Sequence, residues 1–158
     1  MTAPRPEVSG VLAPPPLIFL GFLIAGWGLG RLVGEPSLGL EAPIRRGLAI
    51  TGLVIGLGIE GWAVGLFRRA RTAIAPWEPT TALVTDGVYR FTRNPIYLGF
   101  AVTCLGLAIG LDSPLTILFL LPCLVVIDRF VIQREERYLA GLFGAAYDAY
   151  RGRVRRWL

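Results

Sequence analysis

The sequence contains neither lysine nor histidine, and all 16 of its basic residues are therefore arginine. Without histidine, the chain lacks the side chain that most often moves protons near neutral pH. Without lysine, it cannot form a Schiff base with a carbonyl substrate. Histidine acid–base chemistry, lysine Schiff bases and histidine-ligated metals are excluded, and we predict no metal site.

Cysteine is also scarce. The two cysteines, Cys104 and Cys123, lie in separate apolar runs and lack the C-x-x-C spacing of a metal or redox site. We therefore predict that both are small buried hydrophobic side chains.

Charged residues make up only 17% of the chain, whereas 54% of the residues are hydrophobic and the mean hydropathy is +0.59. These values exceed what a soluble core needs and predict a membrane protein of a single domain. The net charge of +5 does not indicate nucleic-acid binding, because the arginines flank apolar runs and form no basic face with interleaved aromatic residues. Anionic lipid headgroups are the expected counter-charge.

Four apolar stretches approach the roughly 20 residues that a membrane-spanning helix needs. The third is short, which predicts that it tilts or begins within the preceding motif. No small-residue cleavage site follows the first, so we expect an uncleaved membrane helix. The predicted fold class is all-α, a polytopic membrane protein with about four transmembrane helices. The stretches run from about Pro16 to Val33, Gly47 to Phe67, Ile96 to Leu111 and Pro114 to Ile132.

The distribution of arginine predicts the orientation of these helices. With four spans, 13 arginines lie on the side shared by both termini and the loop between the second and third spans. Only Arg31, Arg45 and Arg46 lie on the opposite side. The positive-inside rule makes the arginine-rich side cytoplasmic. We therefore expect an integral protein of the bacterial inner membrane with cytoplasmic N- and C-termini.

The sequence also predicts how the last helices connect. Between the third and fourth spans, "DSP" is a helix cap followed by proline at the first helical position, which predicts a tight antiparallel hairpin. After Ile132, the helical spacing of apolar residues predicts an amphipathic cytoplasmic helix near the interface, ended by Gly152 and an Arg/Trp anchor. The apolar residues of this helix are Leu139, Leu142, Phe143, Ala146, Tyr147 and Tyr150.

The stretch "YRFTRNPIYLGF" places Arg90 and Arg93 directly against the start of the third span. Asn94 and Pro95 are a favourable N-cap and first-turn pair, so the first amides of this helix should point back toward the interface. A helix N-terminus beside two arginines suits a carboxylate or a phosphate. The alternative is that both arginines only enforce topology.

Glu135 and Glu136 follow the fourth span, and neither has an arginine three or four residues away. Their partners must come from elsewhere, and Arg90 and Arg93 lie at the same depth on the same side. A cytoplasmic pocket with arginines on one wall and carboxylates on the other would hold a zwitterion. The turn-rich segment "PWEPTTALVTDGVY" is suited to cover it as a lid. The alternative is two solvated glutamates at a helix exit.

One carboxylate, Glu60, lies inside the second span. An intramembrane carboxylate is a candidate functional group. The alternative is that its side chain snorkels to the interface.

Three ordered motifs in the second half of the chain resemble a known family. "LVTDGVYRFTRNPIYLG", "SP" and "EER.L...FG..Y..Y" are similar to the isoprenylcysteine carboxyl methyltransferase and phospholipid methyltransferase superfamily of integral membrane enzymes, over about residues 76–157. The resemblance implies a single membrane domain (1–158), in which two N-terminal spans (1–75) precede a cofactor-binding methyltransferase core (76–158). It implies S-adenosylmethionine as the cofactor, a zwitterion that suits the pocket described above.

The resemblance also implies the site residues. Glu135, Glu136 and Arg93 are the candidate catalytic residues, and an amine acceptor would release its proton to a glutamate or to water. Two positions depart from the family pattern, because Asn94 replaces the histidine of its Arg-His-Pro and Thr81 replaces a frequent histidine. The implied cofactor contacts are Thr81, Ala82, Leu83, Val84, Tyr89, Asn94, Pro95, Ile96, Tyr97 and Glu135.

A third departure concerns the acceptor. The prenylcysteine enzymes carry an arginine four residues before the cofactor-binding glutamate, where this chain has Val131. We therefore expect a lipid or small apolar acceptor bearing an amine, thiol or carboxylate and entering from the bilayer, not a prenylated protein. Three alternatives are an NADPH-dependent membrane reductase, a glutathione-using four-helix membrane enzyme and a non-catalytic membrane subunit.

Overall fold

The computed structural model describes residues 10, 13–75 and 78–158. Within this part of the chain all regular structure is helical, which confirms the all-α prediction. The elements are α1 (Pro15–Val33), α2 (Ala42–Arg69), a 3₁₀ turn (Gly87–Arg90), α3 (Pro95–Gly110), α4 (Pro114–Val126), a π-helical segment (Ile127–Ile132), α5 (Gln133–Phe143) and α6 (Ala145–Arg151).

The four predicted spans are all helical, but they differ in length. Three helices of the described chain are long and apolar enough to cross a membrane: α1, α2 and the continuous helix Pro114–Phe143. The fourth, α3, has 16 residues, which at 1.5 Å per residue is shorter than the hydrocarbon core is thick. It begins directly after Asn94, as its short apolar stretch predicted. The protein is therefore an integral membrane protein with three long spans and one short apolar helix.

The hairpin between α3 and α4 is built as predicted. Ser113 is the N-cap of α4, and its side chain accepts a hydrogen bond of 3.2 Å from the backbone N–H of Thr116. Pro114 occupies the first position of the helix, where a missing N–H costs nothing. Laterally, however, α3 packs mainly along α2 and α4 mainly along α1.

The amphipathic C-terminal helix differs from the prediction of a separate helix after Ile132. The fourth span continues without a break through the π-helical segment into α5, which ends at Phe143. The interruption falls instead at Gly144, whose φ of 51° and ψ of −125° lie outside the helical region and are readily adopted only by glycine. The last helix, α6, then ends at Arg151, next to the predicted stop at Gly152.

Helices α2 and α3 approach closely because glycines face each other along their contact. A Cβ added at Gly56 would lie 2.7 Å from the carbonyl oxygen of Gly99, and it would also collide with the hydroxyl of Thr103. Small residues that let backbones approach are the usual means of helix association in a membrane. The same contact carries a polar bond, in which the Thr103 hydroxyl donates to Glu60 over 3.0 Å. Glu60 therefore bonds between the helices, contrary to the snorkelling alternative.

Two apolar clusters form the core of the bundle. One lies between α1, α3, α4 and the π-helical segment and includes both cysteines, which are free thiols and buried as predicted. The other joins the end of α2 to the 3₁₀ turn and α6, around Tyr89, Tyr147 and Tyr150. The second cluster forms the floor and sides of the candidate site.

Candidate functional site

A cavity opens at the end of the bundle where α3 begins and α5 leaves the fourth span. Counted together with the open space at its mouth, it has a volume of about 850 Å³. Its walls come from the end of α2, the loop and 3₁₀ turn after it, the start of α3, α5 and α6. Most of the lining residues are apolar or aromatic.

Most of the predicted site residues lie on this cavity. The lining residues among the predicted cofactor contacts and catalytic residues are Ala82, Leu83, Val84, Tyr89, Arg93, Asn94, Ile96, Tyr97, Glu135 and Glu136. The loop residues of this set cover the cavity as the predicted lid would, although Pro76 and Trp77 of that segment lie outside the described residues.

Two predicted cofactor contacts, Thr81 and Pro95, are not among the residues that line the cavity. Thr81 anchors the covering loop, because its backbone N–H donates to the Thr72 hydroxyl over 2.9 Å and its own hydroxyl donates to the Arg71 carbonyl over 3.2 Å. Pro95 is buried as the first residue of α3. Both shape the site from outside the cavity.

Glu135 presents a carboxylate to the cavity from the first turn of α5. Its Oε1 accepts a hydrogen bond of 2.7 Å from the hydroxyl of Tyr97 on α3. The prediction that its partner comes from elsewhere in the chain is confirmed. A partly buried carboxylate with one neutral donor retains capacity to accept bonds from a cationic ligand group.

Glu136 is engaged much more fully than Glu135. Its Oε1 accepts from Arg93 Nη2 over 2.8 Å, and its Oε2 accepts from Arg156 Nη2 over 2.6 Å. Arg93 and Glu136, which the sequence analysis assigned to opposite walls of a pocket, form a direct ion pair. Two arginines at this distance hold the carboxylate in a fixed orientation.

Arg90 does not reach the cavity. It pairs with Asp86 over 3.1 Å at the surface, where the two side chains are 69% and 75% exposed. An exposed pair one helical turn apart stabilises the fold weakly. The anion site predicted from Arg90 and Arg93 together is therefore reduced to Arg93.

Asn94 occupies the N-cap position of α3 as predicted, but its side chain does not cap the helix. Its amide Nδ2 instead donates to the backbone carbonyl of Arg156 over 2.9 Å. The C-terminal segment, which the sequence pattern assigned to an interfacial anchor, folds back onto the start of α3. The bond through Nδ2 orients the side chain toward the C-terminal segment, and its oxygen accepts no bond from the first turn of α3.

Arg93 is held almost completely by the protein. Its Nη1 donates to the carbonyl oxygens of Arg151 and Val154 over 3.0 and 3.1 Å, and its Nη2 to Glu136. Its Nε is buried and has no hydrogen-bond partner among the described residues. A buried donor without a partner is costly. Arg93 is also one of the residues that line the cavity.

Several aromatic residues of the cavity were not predicted as site residues. Tyr138 accepts a bond of 3.1 Å from the N–H of Thr80, and Tyr150 donates one of 2.8 Å to the carbonyl of Tyr89. Burial raises the pKa of Tyr147 to about 12, so that its hydroxyl stays protonated at physiological pH. The tyrosines of α6 were assigned to the apolar face of an interfacial helix, and that amphipathic pattern was the available signal.

The π-helical segment also had no counterpart in the sequence prediction. It begins at Ile127, one turn after Pro122 in α4, and ends immediately before α5. π-turns add one residue per turn and occur frequently at functional sites. Here the segment sets the direction in which Glu135 and Glu136 leave the fourth span.

Comparison of the sequence with known proteins places the chain in a family. The model of the phospholipid methyltransferase family matches residues 44–146. A protein-S-isoprenylcysteine O-methyltransferase of Schizosaccharomyces pombe is 42% identical over 76 residues, which are 46% of this chain and 30% of that protein. A probable protein-S-isoprenylcysteine O-methyltransferase of Oryza sativa subsp. indica is 35% identical over 108 residues, 65% and 54% of the two chains.

An uncharacterized protein of Haemophilus influenzae is 38% identical over 63 residues, which are 40% of this chain and 100% of that protein. No solved structure gives a significant match. The chain spans between about a third and a half of the length of the named methyltransferases. The family match begins at Ile44 and so includes α2, which the sequence resemblance had left out. Since it covers more than half of the chain, the protein belongs to the phospholipid methyltransferase family.

Proposed function

We propose that the protein transfers a methyl group from S-adenosylmethionine to an apolar acceptor dissolved in the membrane. The observation that carries this proposal is that one cavity is lined both by a carboxylate residue, Glu135, and by a guanidinium residue, Arg93. These two groups are complementary to the ammonium and carboxylate of the donor's amino-acid end. When bound, S-adenosylmethionine supplies an electrophilic methyl group on a sulfonium.

The rest of the cavity fits the nucleoside end of the same donor. Leu83, Val84 and Ile96 provide apolar surface, and Tyr89, Tyr138 and Tyr147 provide aromatic surface and hydroxyl groups. Cofactor pockets commonly combine an apolar wall with a few polar groups that fix orientation. Membership in a methyltransferase family supports this interpretation over the reductase, glutathione and non-catalytic alternatives.

Methyl transfer of this kind is a displacement that requires the acceptor atom in line with the methyl group. Positioning can therefore supply most of the acceleration, and no dedicated base is demanded. A thiolate or carboxylate acceptor attacks directly, whereas an amine must lose a proton. Glu136 is held by Arg93 and Arg156, so we assign it to the framework of the site. The proton of an amine then passes to Glu135 or to water.

The acceptor is proposed to be a lipid or small apolar molecule that enters from the bilayer with an amine, thiol or carboxylate at its reacting end. Val131, which stands where the prenylcysteine enzymes have an arginine, is fully buried in the apolar core. The relatives' printed names nevertheless make a prenylcysteine the second candidate. The arginine distribution supports a cytoplasmic placement of the cavity end and both termini, in the bacterial inner membrane.

The test is calorimetry of the purified protein in detergent with S-adenosylmethionine and with its demethylated product. We expect dissociation constants of about 1 mM or tighter, corresponding to about 4 kcal/mol of binding free energy. Absence of both heat and thermal shift would remove the methyltransferase interpretation.

Incubation with methyl-labelled donor then shows which class of acceptor receives the methyl group. Label in a total lipid extract supports the proposal, while label confined to added prenylcysteine analogues overturns the proposed acceptor class.

A further inference from the structure

After α6 the chain folds back across the start of α3 as a segment that we call the C-terminal tail (residues 152–158). The hydroxyl of Thr92 and the amide of Asn94 both donate to the backbone carbonyl of Arg156, over 3.1 and 2.9 Å. The next residue, Trp157, packs against the apolar cluster between α1, α3 and α4. The tail is thus attached to the core through the Arg156 carbonyl and through the Trp157 side chain. It lies beyond the residues matched by the family model.

The side chain of Arg156 lies at the centre of a chain of four charged groups. Its Nε and Nη2 donate to the two oxygens of Glu136 over 3.0 and 2.6 Å. Its Nη1 donates to the carboxylate of Asp128 over 3.2 Å. Glu136 in turn accepts from Arg93. This fork-to-fork geometry fixes the orientation of the Glu136 carboxylate, which a single point charge would not do.

The orientation of Glu136 determines that of Arg93. The guanidinium of Arg93 is planar, so fixing both Nη atoms also fixes the direction of Nε–H. Glu136 fixes Nη2, and the carbonyls of Arg151 and Val154 fix Nη1. The three bonds together define the orientation of the guanidinium, and loss of the bond to Glu136 leaves only its Nη1 side held.

We propose that Arg156 is a positioning residue for methyl-donor binding, acting through Glu136 on the cavity-lining Arg93. This inference rests on the proposed function. Arg156 is not itself one of the lining residues, and its side chain is connected to the cavity through its bonds to Glu136. Its effect on the donor is indirect and is transmitted along a fixed hydrogen-bonded path.

The experiment compares Arg156→Gln with Arg155→Gln, whose exposed side chain loses the same charge one residue earlier in the tail. Donor affinity is measured by calorimetry on the full-length protein in detergent, and thermal unfolding is followed separately. We expect Arg156→Gln to weaken binding about tenfold, the loss of a charge-assisted contact, and Arg155→Gln to change it less than about twofold. Equal affinities for wild type and Arg156→Gln, or equal losses in both variants, overturn the proposal.

A double-mutant cycle with Glu136→Gln separates positioning from general stabilisation. If Arg156 acts through Glu136, Arg156→Gln causes no additional loss of donor affinity in the Glu136→Gln background. Additive losses of affinity contradict that path, as does a lower unfolding temperature with unchanged affinity of the folded protein. If Arg156→Gln does not fold, Arg156→Lys serves instead. It keeps the charge but loses the fork, so that wild-type affinity in this variant overturns the proposal.

Failure of the inference and failure of the proposed function give different results. If wild type itself gives no heat with the donor, the proposed function fails, and this positioning role fails with it. If wild type binds and Arg156→Gln binds equally well, only the positioning role fails.

Discussion

The two ends of the helix bundle use similar polar groups for different purposes. At the end away from the cavity, Glu35 accepts bonds from the Ser113 hydroxyl and from the backbone N–H of Leu115, the latter over 2.7 Å. Beside it, Asp112 pairs with Arg45 over 2.7 Å. These carboxylates join the α1–α2 loop to the α3–α4 turn and line a second, polar pocket. We call this region the closed end because both oxygens of each carboxylate have protein partners.

At the cavity end, two groups retain unused bonding capacity. Glu135 has one hydrogen-bond partner among the described residues, the Tyr97 hydroxyl, and Arg93 keeps a buried Nε without one. The closed end satisfies its carboxylates with protein groups and so stabilises the fold. If the proposed function is right, the unused capacity at the cavity end serves donor binding. Substitutions at the two ends should therefore separate stability from binding.

The largest effect is expected from a change that damages both ends, because it lies in the helix pair that connects them. Gly56→Ala places a methyl group against the backbone of α3 at Gly99 and Thr103. We expect a loss of about 3 kcal/mol of unfolding free energy, the upper range for overpacking. Donor affinity should also fall, since both helices supply cavity residues. Thermal unfolding in detergent and calorimetry measure the two effects.

The matched control is Gly58→Ala on the same helix, where an added Cβ meets nothing within 4 Å. Its unfolding free energy should stay within about 1 kcal/mol of wild type, the difference in helix propensity between the two residues. A comparable loss in both variants would show that the close contact of α2 and α3 is not the cause.

At the cavity end, Glu135→Gln should weaken donor binding by about 1.5–3 kcal/mol, roughly 10- to 150-fold, with little change in stability. Glu136→Gln should affect stability more than it affects donor binding, because it removes the shared acceptor of two arginines. We expect it to lower the unfolding free energy by about 1–3 kcal/mol and to weaken binding less than Glu135→Gln does. Calorimetry and thermal unfolding of both variants provide the measurement, and equal effects on binding contradict the assignment.

At the closed end, Glu35→Gln should lower the unfolding free energy by about 1–2 kcal/mol and leave the donor affinity of the folded protein unchanged. The physical reason is the loss of a charged acceptor at the first turn of α4. Denaturant unfolding and donor titration measure the two quantities. A drop in affinity would mean that the ends are coupled and would remove the distinction between them.

The smallest effect concerns the pH dependence of the closed end. The backbone N–H of Leu38, followed by Ser37 and Arg45, lowers the pKa of Asp112 below its ordinary value. A carboxyl with a lowered folded-state pKa contributes stability at neutral pH that is lost as the pH falls through that pKa. We expect wild type to be slightly more stable than Asp112→Asn at pH 7 and the difference to vanish in acid. A difference that is constant with pH would contradict this role for the carboxylate.

The helices were the predictable part of the fold, because each depends on local sequence. Hydropathy located the four apolar helices, and the serine–proline pair at Ser113 and Pro114 located the start of α4. The prediction failed where distant groups decide the conformation. The Asn94 side chain bonds to the Arg156 carbonyl, and no spacing rule relates these two positions. The join of the fourth span to α5 was missed because helical periodicity does not distinguish a continuous helix from two adjacent ones.

The sequence predicted many of the residues that line the candidate site, but not which charged residues bond to each other. Motif resemblance selected a large part of the cavity wall, including Tyr97 and Glu135, without any knowledge of how α3 meets α5. Charge pattern alone indicated that the two glutamates need distant partners. It could not indicate that Glu136 takes Arg93, because that choice depends on tertiary packing. The pair of Asp86 and Arg90, four residues apart, is local, and the sequence analysis missed it.

The π-helical segment at Ile127–Ile132 predicts where related chains should differ in length. A π-turn accommodates one residue more than an α-turn while the helix on either side keeps its own orientation. A relative that lacks one residue in this segment can form a regular α-helix there and still direct its glutamates as Glu135 and Glu136 are directed. Loss of a residue between Gln133 and Glu135 would instead rotate the carboxylate by about 100° around the helix. We therefore expect single-residue gaps in family alignments to fall within the π-helical segment and to be excluded from the first turn of α5.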